Sequence, residues 1–369
     1  MSPFRGVFAP LMAVASLCLV FLLAGCGDGE NGGEVTASKR RIILLTNGNS
    51  PYWVTFARGA QEAKEKLNLA EENLEVVIDQ GDFSPQSQIE KLQQYQGATD
   101  IAAVAICVTD PKNQALINQM INLSDSGVKL ITVDSDIDRA DKRARDARFA
   151  YLGTDNFQAG KELGKAAAAI RPEGAKYATF VGVKSASNAI ERIGGFAEGA
   201  GEKFEQLESL GDQGQAETAR KNVRDAIDRH DDLNALVGIW SYNTPAIVDI
   251  VTGIDQHDKM LIVGFDADPP SIVAMENGQL EAMLVQDPYQ MAYEGVRLLH
   301  AMLNDNQAEI KEILPNYGDT DGDVKETGLK IIVPDADSPV KADLFDEGTT
   351  FLTLDEFKAW LAEYNLTGS

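Results

Sequence analysis

"ILLTNGNSPYWVTFARGAQEAK", residues 43–64, decides the fold. It opens on an apolar run with no alternation, which suits a parallel strand buried on both faces. A polar loop with Asn47, Asn49 and Ser50 follows, and two large aromatics, Tyr52 and Trp53, then open a helix. Strand, loop and helix make the first part of a βαβ unit. The two rings have two readings. Large aromatics are core by default. At the edge of a sheet, beside amides and a hydroxyl, they are also a platform for a ligand.

The same alternation of strand-like and helix-like stretches runs on along the chain. Strands are expected at 41–46, 74–79, 101–108, 129–134 and 149–154, and a second series at 177–182, 235–240, 261–266 and 282–286. A helix is expected at 156–170, rich in alanine, and another at 288–304. In the latter Met291, Gly295, Leu298 and Met302 recur at helical spacing, with Asp287 as N-cap and Pro288 at the first helical position. A charged, loop-like pause falls at 134–148. The repetition is of βαβ units and not of a sequence period, so a solenoid is not expected. With 369 residues, more than one compact core usually holds, the pattern predicts an α/β protein of two doubly wound parallel-sheet lobes joined by a hinge.

Bulk properties narrow the function. The chain carries 33 basic and 57 acidic residues, a net charge of −24, which repels nucleic acid and anionic membrane surfaces. Residues 1–25 read as an export signal: Arg5 is their one charged residue, and an apolar run extends from Val7 to Leu23. The ending Leu23-Ala24-Gly25-Cys26 resembles the bacterial lipobox, in which the cysteine takes a lipid. Cys26 is therefore the expected lipidation site and membrane anchor, with a plain signal peptide or a single membrane anchor as the alternatives. Residues 26–40 are Gly-rich and polar and read as a flexible tether. Cys107 is left alone in "IAAVAICV", a buried structural thiol with no disulfide partner.

In open parallel sheets ligands sit beyond the carboxyl ends of the strands. Those ends carry Asn47, Asn49, Tyr52 and Trp53; then Asp110; then Asp134, Ser135 and Asp136; then Thr154, Asp155 and Asn156. The second series adds Asn188 and Arg192, then Trp240, Tyr242 and Asn243, then Asp266, then Gln286. Carboxylates and amides hydrogen-bond vicinal hydroxyls, and an arginine offers a rigid fork of donors. Rings cover the apolar faces of a sugar and lose little entropy on binding. The set therefore suits a neutral polyhydroxylated ligand. Each polar residue also has a bland reading, since Asp and Asn after a strand are common helix N-caps, as expected of Asp155 and Asn156.

From Arg41 to about Val333 the chain resembles the periplasmic ribose-binding protein family, the type 1 solute-binding proteins related to LacI-type repressor cores. The residues that carry the resemblance are "NGNSPYWVTFARGAQEAKEKL", "ITVDSDID", "YLGTDNFQAGKELG", "NAIERIGGFAEG" and "IVGFDADPPSIVAMENGQLEAMLVQDPYQMAYEGV". It implies two lobes, 41–154 plus 287–325 and 155–286 plus 326–333, with crossings near Thr154, Gln286 and residue 325. It implicates Tyr52, Trp53, Asp134, Arg192, Asp266 and Gln286 in a sugar cleft. It further implies a monomeric receptor, delivery to an ABC permease, and no cofactor or metal. A sensor kinase or chemoreceptor is the alternative reader. The chain departs from the family at Ser135, where ribose sites often have Arg, at Gln213, where an aromatic is expected, and at the loop "WSYNTPA". In that loop Ser241, Tyr242 or Asn243 takes the hydroxyl-binding role. A plain ribose site is not expected.

The tail 334–369 extends past the usual end of that family and reads as a strap, with an amphipathic helix that places Leu354, Phe357, Leu361 and Tyr364 on one face. Asp319, Asp321 and Asp323 alternate as in a calcium loop, but Gly322 and Glu326 fall at the wrong positions for an EF-hand, so a plain acidic loop is expected. The sequence has no P-loop and no G-x-S-x-G elbow. Asp134 and Asp266 could imitate the carboxylate pair of a glycan hydrolase. The family match sets them on opposite lobes, which favours a hydroxyl clamp.

Overall fold

The computed structural model describes residues 39–369. The export signal, Cys26 and most of the tether lie outside the described residues. The described residues build two sheets. The first takes β1 (Arg40–Thr46), β2 (Leu74–Gln80), β3 (Ile101–Ile106), β4 (Lys129–Val133) and β5 (Tyr151–Gly153). The second takes β6 (Ala175–Val181), β7 (Phe204–Gly211), β8 (Ala235–Gly238), β9 (Leu261–Phe265) and β10 (Ala282–Val285). The chain then returns to the first sheet with β11 (Val324–Glu326) and to the second with β12 (Leu329–Val333) and β13 (Thr349–Thr353). The orders are β11-β5-β4-β3-β1-β2 and β13-β12-β10-β9-β8-β6-β7. All pairings are parallel except β10 with β12. Each lobe thus repeats one doubly wound order, with its switch point between β1 and β3 or between β6 and β8.

The elements follow from composition. β3 is buried along its whole length, as its unbroken apolar run requires. The helix Pro288–Leu303 belongs to the first lobe: Met291, Val296 and Leu298 join Tyr52, Trp53 and Phe56 in one core. Its cap is Asp287, whose side chain accepts from the Gln290 amide at 2.9 Å. In the second lobe the helices Asn156–Ile170 and Ser187–Ala200 pack closely through small residues. A Cβ on Gly160 would stand 2.2 Å from the Arg192 carbonyl oxygen, so only glycine permits this approach.

Some elements differ from expectation. β7, β11 and β13 carry no clean apolar run, and β7 and β13 are edge strands with half-exposed faces. The pause at 134–148 is not a boundary between lobes. It lies between β4 and β5, contains the short helix Lys142–Arg145, and supplies Arg148, which pairs with Asp136 and Asp323 at 2.7 Å each. The strap is built into the second lobe. β13 extends its sheet, and the helix Leu354–Glu363 buries Leu354, Phe357 and Leu361 behind a Thr353–Glu356 capping box. Tyr364 falls just past the helix end and is 41% exposed. In the acidic loop, Asp321 and Asp323 are engaged by Arg145.

Candidate binding site

Loops at the carboxyl ends of the strands from both lobes meet around one cavity. The first lobe brings Asn47, Ser50, Tyr52 and Trp53 after β1, Phe83 after β2 and Asp134 after β4. The second brings Asn188 and Arg192 after β6, Trp240, Ser241 and Tyr242 after β8, Asp266 after β9 and Gln286 after β10. The cavity proper is small, about 30 Å³, room for roughly two waters between the lobes as they stand.

Asp134 and Asp266 adopt the same unusual backbone, at φ +61° and +64°. Each follows its strand directly, and the left-handed turn is one that Asp tolerates better than bulky residues. Asp134 is a junction. The Tyr52 hydroxyl donates to its Oδ1 at 3.0 Å and the Cys107 thiol to its Oδ2 at 3.1 Å. From the other lobe, Asn188 donates to Oδ2 at 3.3 Å, and an Arg192 nitrogen stands 3.9 Å from Oδ1. Arg192 is 1% exposed and uses each of its three nitrogens in a hydrogen bond. It donates to Asn156 Oδ1 at 2.9 Å, to the Ile239 carbonyl at 3.1 Å and to Gln286 Oε1 at 2.6 Å, and lies 4.6 Å above the Phe265 ring. Gln286 Oε1 also accepts from Thr154, and its Nε2 donates to Asp266 at 2.9 Å. Asp134, Arg192, Gln286 and Asp266 therefore form one buried polar chain across the cleft.

The apolar side is a ring pair. Phe83 and Trp240 face each other across the lobes at 5.9 Å, tilted by 33°, and Trp240 Nε1 donates to Asn188 at 3.2 Å. Phe83 sits at φ +66°, an outlier for a bulky residue, held by its amide on the Asn47 carbonyl at 2.7 Å. Gly214 clears its path, since a Cβ there would be 2.2 Å from the Phe83 ring. Burial pushes the Asp134 carboxyl up, with Arg192 opposing. Burial also pushes Asp266 up to about 6 and Asp268, beside it, up to about 7. The Tyr52 phenol is held well above its usual range by burial and by the charge of Asp134.

Of the residues expected from sequence, Asn47, Tyr52, Trp53, Asp134, Arg192, Trp240, Tyr242, Asp266 and Gln286 line the cavity. Four stand elsewhere. Asn49 is exposed on its loop. Asp110 closes a turn by accepting from the Lys112 amide at 3.1 Å. Asp136 is consumed by Arg148, which donates to both of its oxygens at 2.7 Å. Asn243 braces the loop, donating to Asp212 at 2.8 Å and accepting from the Trp240 amide at 3.2 Å. Asp155 caps its helix through the Gln158 amide at 2.9 Å, whereas Asn156 is the support of Arg192 rather than a cap. Tyr52 and Trp53 are 6% and 4% exposed and packed in the first core, as large aromatics are by default, and they also line the cavity. Ser50, Asn188 and Ser241, noted in the sequence at the strand ends and loops, also line the cavity, whereas sequence reasoning missed Phe83. Its one available signal for Phe83 was an aromatic directly before the Ser84-Pro85 helix start after β2.

Residues 42–307 match the family described as periplasmic binding protein domain. The ribose import binding protein of Salmonella typhimurium is 24% identical over 73% of this chain and 86% of its own length. The D-allose-binding periplasmic protein of Escherichia coli is 23% identical over 71% of this chain and 84% of its own. Among solved structures, an ABC transporter solute-binding protein from Agrobacterium vitis with bound D-fucose superposes with a TM-score of 0.70, at 21% identity, over 82% of this chain and 98% of that one.

Proposed function

The chain belongs to the periplasmic binding protein domain family, and on that premise we propose that it captures a monosaccharide or similar polyol between its two lobes and delivers it to an ABC importer. The observation that carries this reading is the convergence, from both lobes, of alternating donors and acceptors beside a ring pair on one small cavity. Hydroxyl groups need both kinds of partner, and a pyranose or furanose face needs a ring. The names of the relatives, which bind ribose or allose, support the same chemistry. Closure sequesters the ligand and changes the surface that a permease reads. A kinase or chemoreceptor would read the same change.

Binding without turnover is the expected activity. The oxygens of Asp134 already accept from Tyr52, Cys107 and Asn188, which suits a fixed acceptor better than a proton shuttle. Export, and anchoring in the cell envelope through lipid on Cys26, complete the reading, with a monomer as the working unit. Mass spectrometry of the mature N-terminus should find lipid on Cys26; an unmodified Cys26 would remove the anchor from the proposal.

The test is a thermal-shift screen of protein lacking residues 1–26 against pentoses, hexoses, deoxy sugars, polyols and nucleosides. A ligand at a hundredfold its dissociation constant adds about 2.7 kcal/mol, so a true ligand raises the melting temperature visibly. One sharp responder, recovered chemically unchanged, is the expected result. Silence across the panel, or conversion of the responder, would overturn the reading.

A further inference from the structure

Beyond the strap helix the chain turns at Asn365, at φ +53°, and Leu366 packs on the second core. The next residues leave that lobe's surface and enter the junction between lobes. The Gly368 carbonyl accepts from the Thr55 hydroxyl at 2.8 Å, and Thr55 lies on the first-lobe helix Tyr52–Lys66. Ser369 pairs with Ala267 through both backbone groups, the Ala267 amide donating at 2.6 Å and the Ser369 amide at 3.2 Å. The Ser369 hydroxyl donates to the Gln286 carbonyl at 3.2 Å. Thr55 and Ser369 are 5% and 3% exposed. The fit is close: a Cβ on Gly368 would stand 2.6 Å from the Ala267 carbonyl oxygen. One short segment, rooted in the second lobe, therefore grips the first lobe, and does so against the residue after Asp266 and the backbone of Gln286.

We propose that Gly368 and Ser369 form a clasp that favours the closed arrangement of the lobes and positions Asp266 and Gln286 for the bound sugar. The second half of this proposal rests on the sugar-capture reading; the first half does not. A segment bonded to both lobes favours whichever arrangement permits all its bonds at once. It raises apparent affinity by raising the fraction of molecules already competent to bind.

The experiment separates the two halves. The chain has three tryptophans, and a Trp360→Phe background leaves Trp53 and Trp240, both on the cavity wall, as the emitters. Acrylamide quenching of sugar-free protein then reads cleft opening directly. Thr55→Val, and separately removal of residues 368–369, should each raise the quenching constant by about twofold or more. Unchanged quenching in Thr55→Val, which alters one hydroxyl of an otherwise whole chain, overturns the clasp whatever the shortened chain does. D-ribose and D-allose titrations of the same proteins test positioning. Thr55→Val loses one hydrogen bond at the junction and the shortened chain loses four, so a sugar that binds should weaken by at least roughly 5-fold. Unaltered affinity with raised quenching overturns the positioning half. If neither sugar binds the unaltered protein, the positioning half falls for these two sugars, and the clasp still stands or falls on quenching.

Discussion

At the scale of single residues, the site stores electrostatic cost. Asp134 and Asp266 are 4% and 2% exposed, in turns that few residues adopt, with Arg192 as the guanidinium set between them. Asp266 has a folded pKa raised to about 6, above its unfolded value, because burial penalises the charge. Such a group lowers stability fully above pH 6, and the cost disappears as pH falls toward 4. Asp266→Asn keeps an oxygen to accept from Gln286 while removing the charge. It should therefore stabilise the unliganded protein by on the order of 1–3 kcal/mol at pH 7.5 and by almost nothing at pH 4, while losing sugar binding. Urea titrations at the two pH values measure this. A variant less stable than the parent at pH 7.5 would show that the carboxylate is a net support of the fold.

At the scale of elements, the strap is structure and not an appendage. Phe357 is wholly buried, and β13 lies parallel to β12 along five residue pairs. Phe357→Ala should cost about 3–5 kcal/mol, the usual penalty for emptying a buried ring site. Chemical denaturation is the measurement, and a loss below about 1 kcal/mol would mean that the helix packs loosely. The helix pair Asn156–Ile170 and Ser187–Ala200 makes a second point. Its glycines bring two helices together so that Asn156 meets Arg192, and the fork of Arg192 is aimed by packing before any ligand arrives.

At the scale of the whole molecule, charge and closure dominate. A net charge of −24 on 369 residues repels itself in the compact state. Raising ionic strength from about 0.01 M to 0.15 M shortens the screening length from about 30 to about 8 Å. The melting temperature should rise over that range, as calorimetry in sodium chloride would register. A fall would mean that the surface ion pairs outweigh the repulsion. Closure is visible in the cross-lobe bonds: Asn188 to Asp134, Ser135 to Ser187 at 2.9 Å, and Phe83 against Trp240. Each is broken if the lobes part.

The sequence by itself determined the two βαβ series, because strands buried on both faces must be apolar along their length and that signal is local. It also determined which strand ends to inspect, and so reached Asp134, Arg192, Asp266 and Gln286. Residue type and strand-end position alone did not separate Asp134 from Asp136; only the family resemblance singled out Asp134. Only the tertiary structure decided that Arg148 consumes Asp136 while a left-handed turn faces Asp134 into the cleft. The same holds for Phe83 and for residues 368–369. Their partners, Trp240, Thr55 and Ala267, lie far away along the chain, and no local pattern records a contact that exists only when the lobes meet.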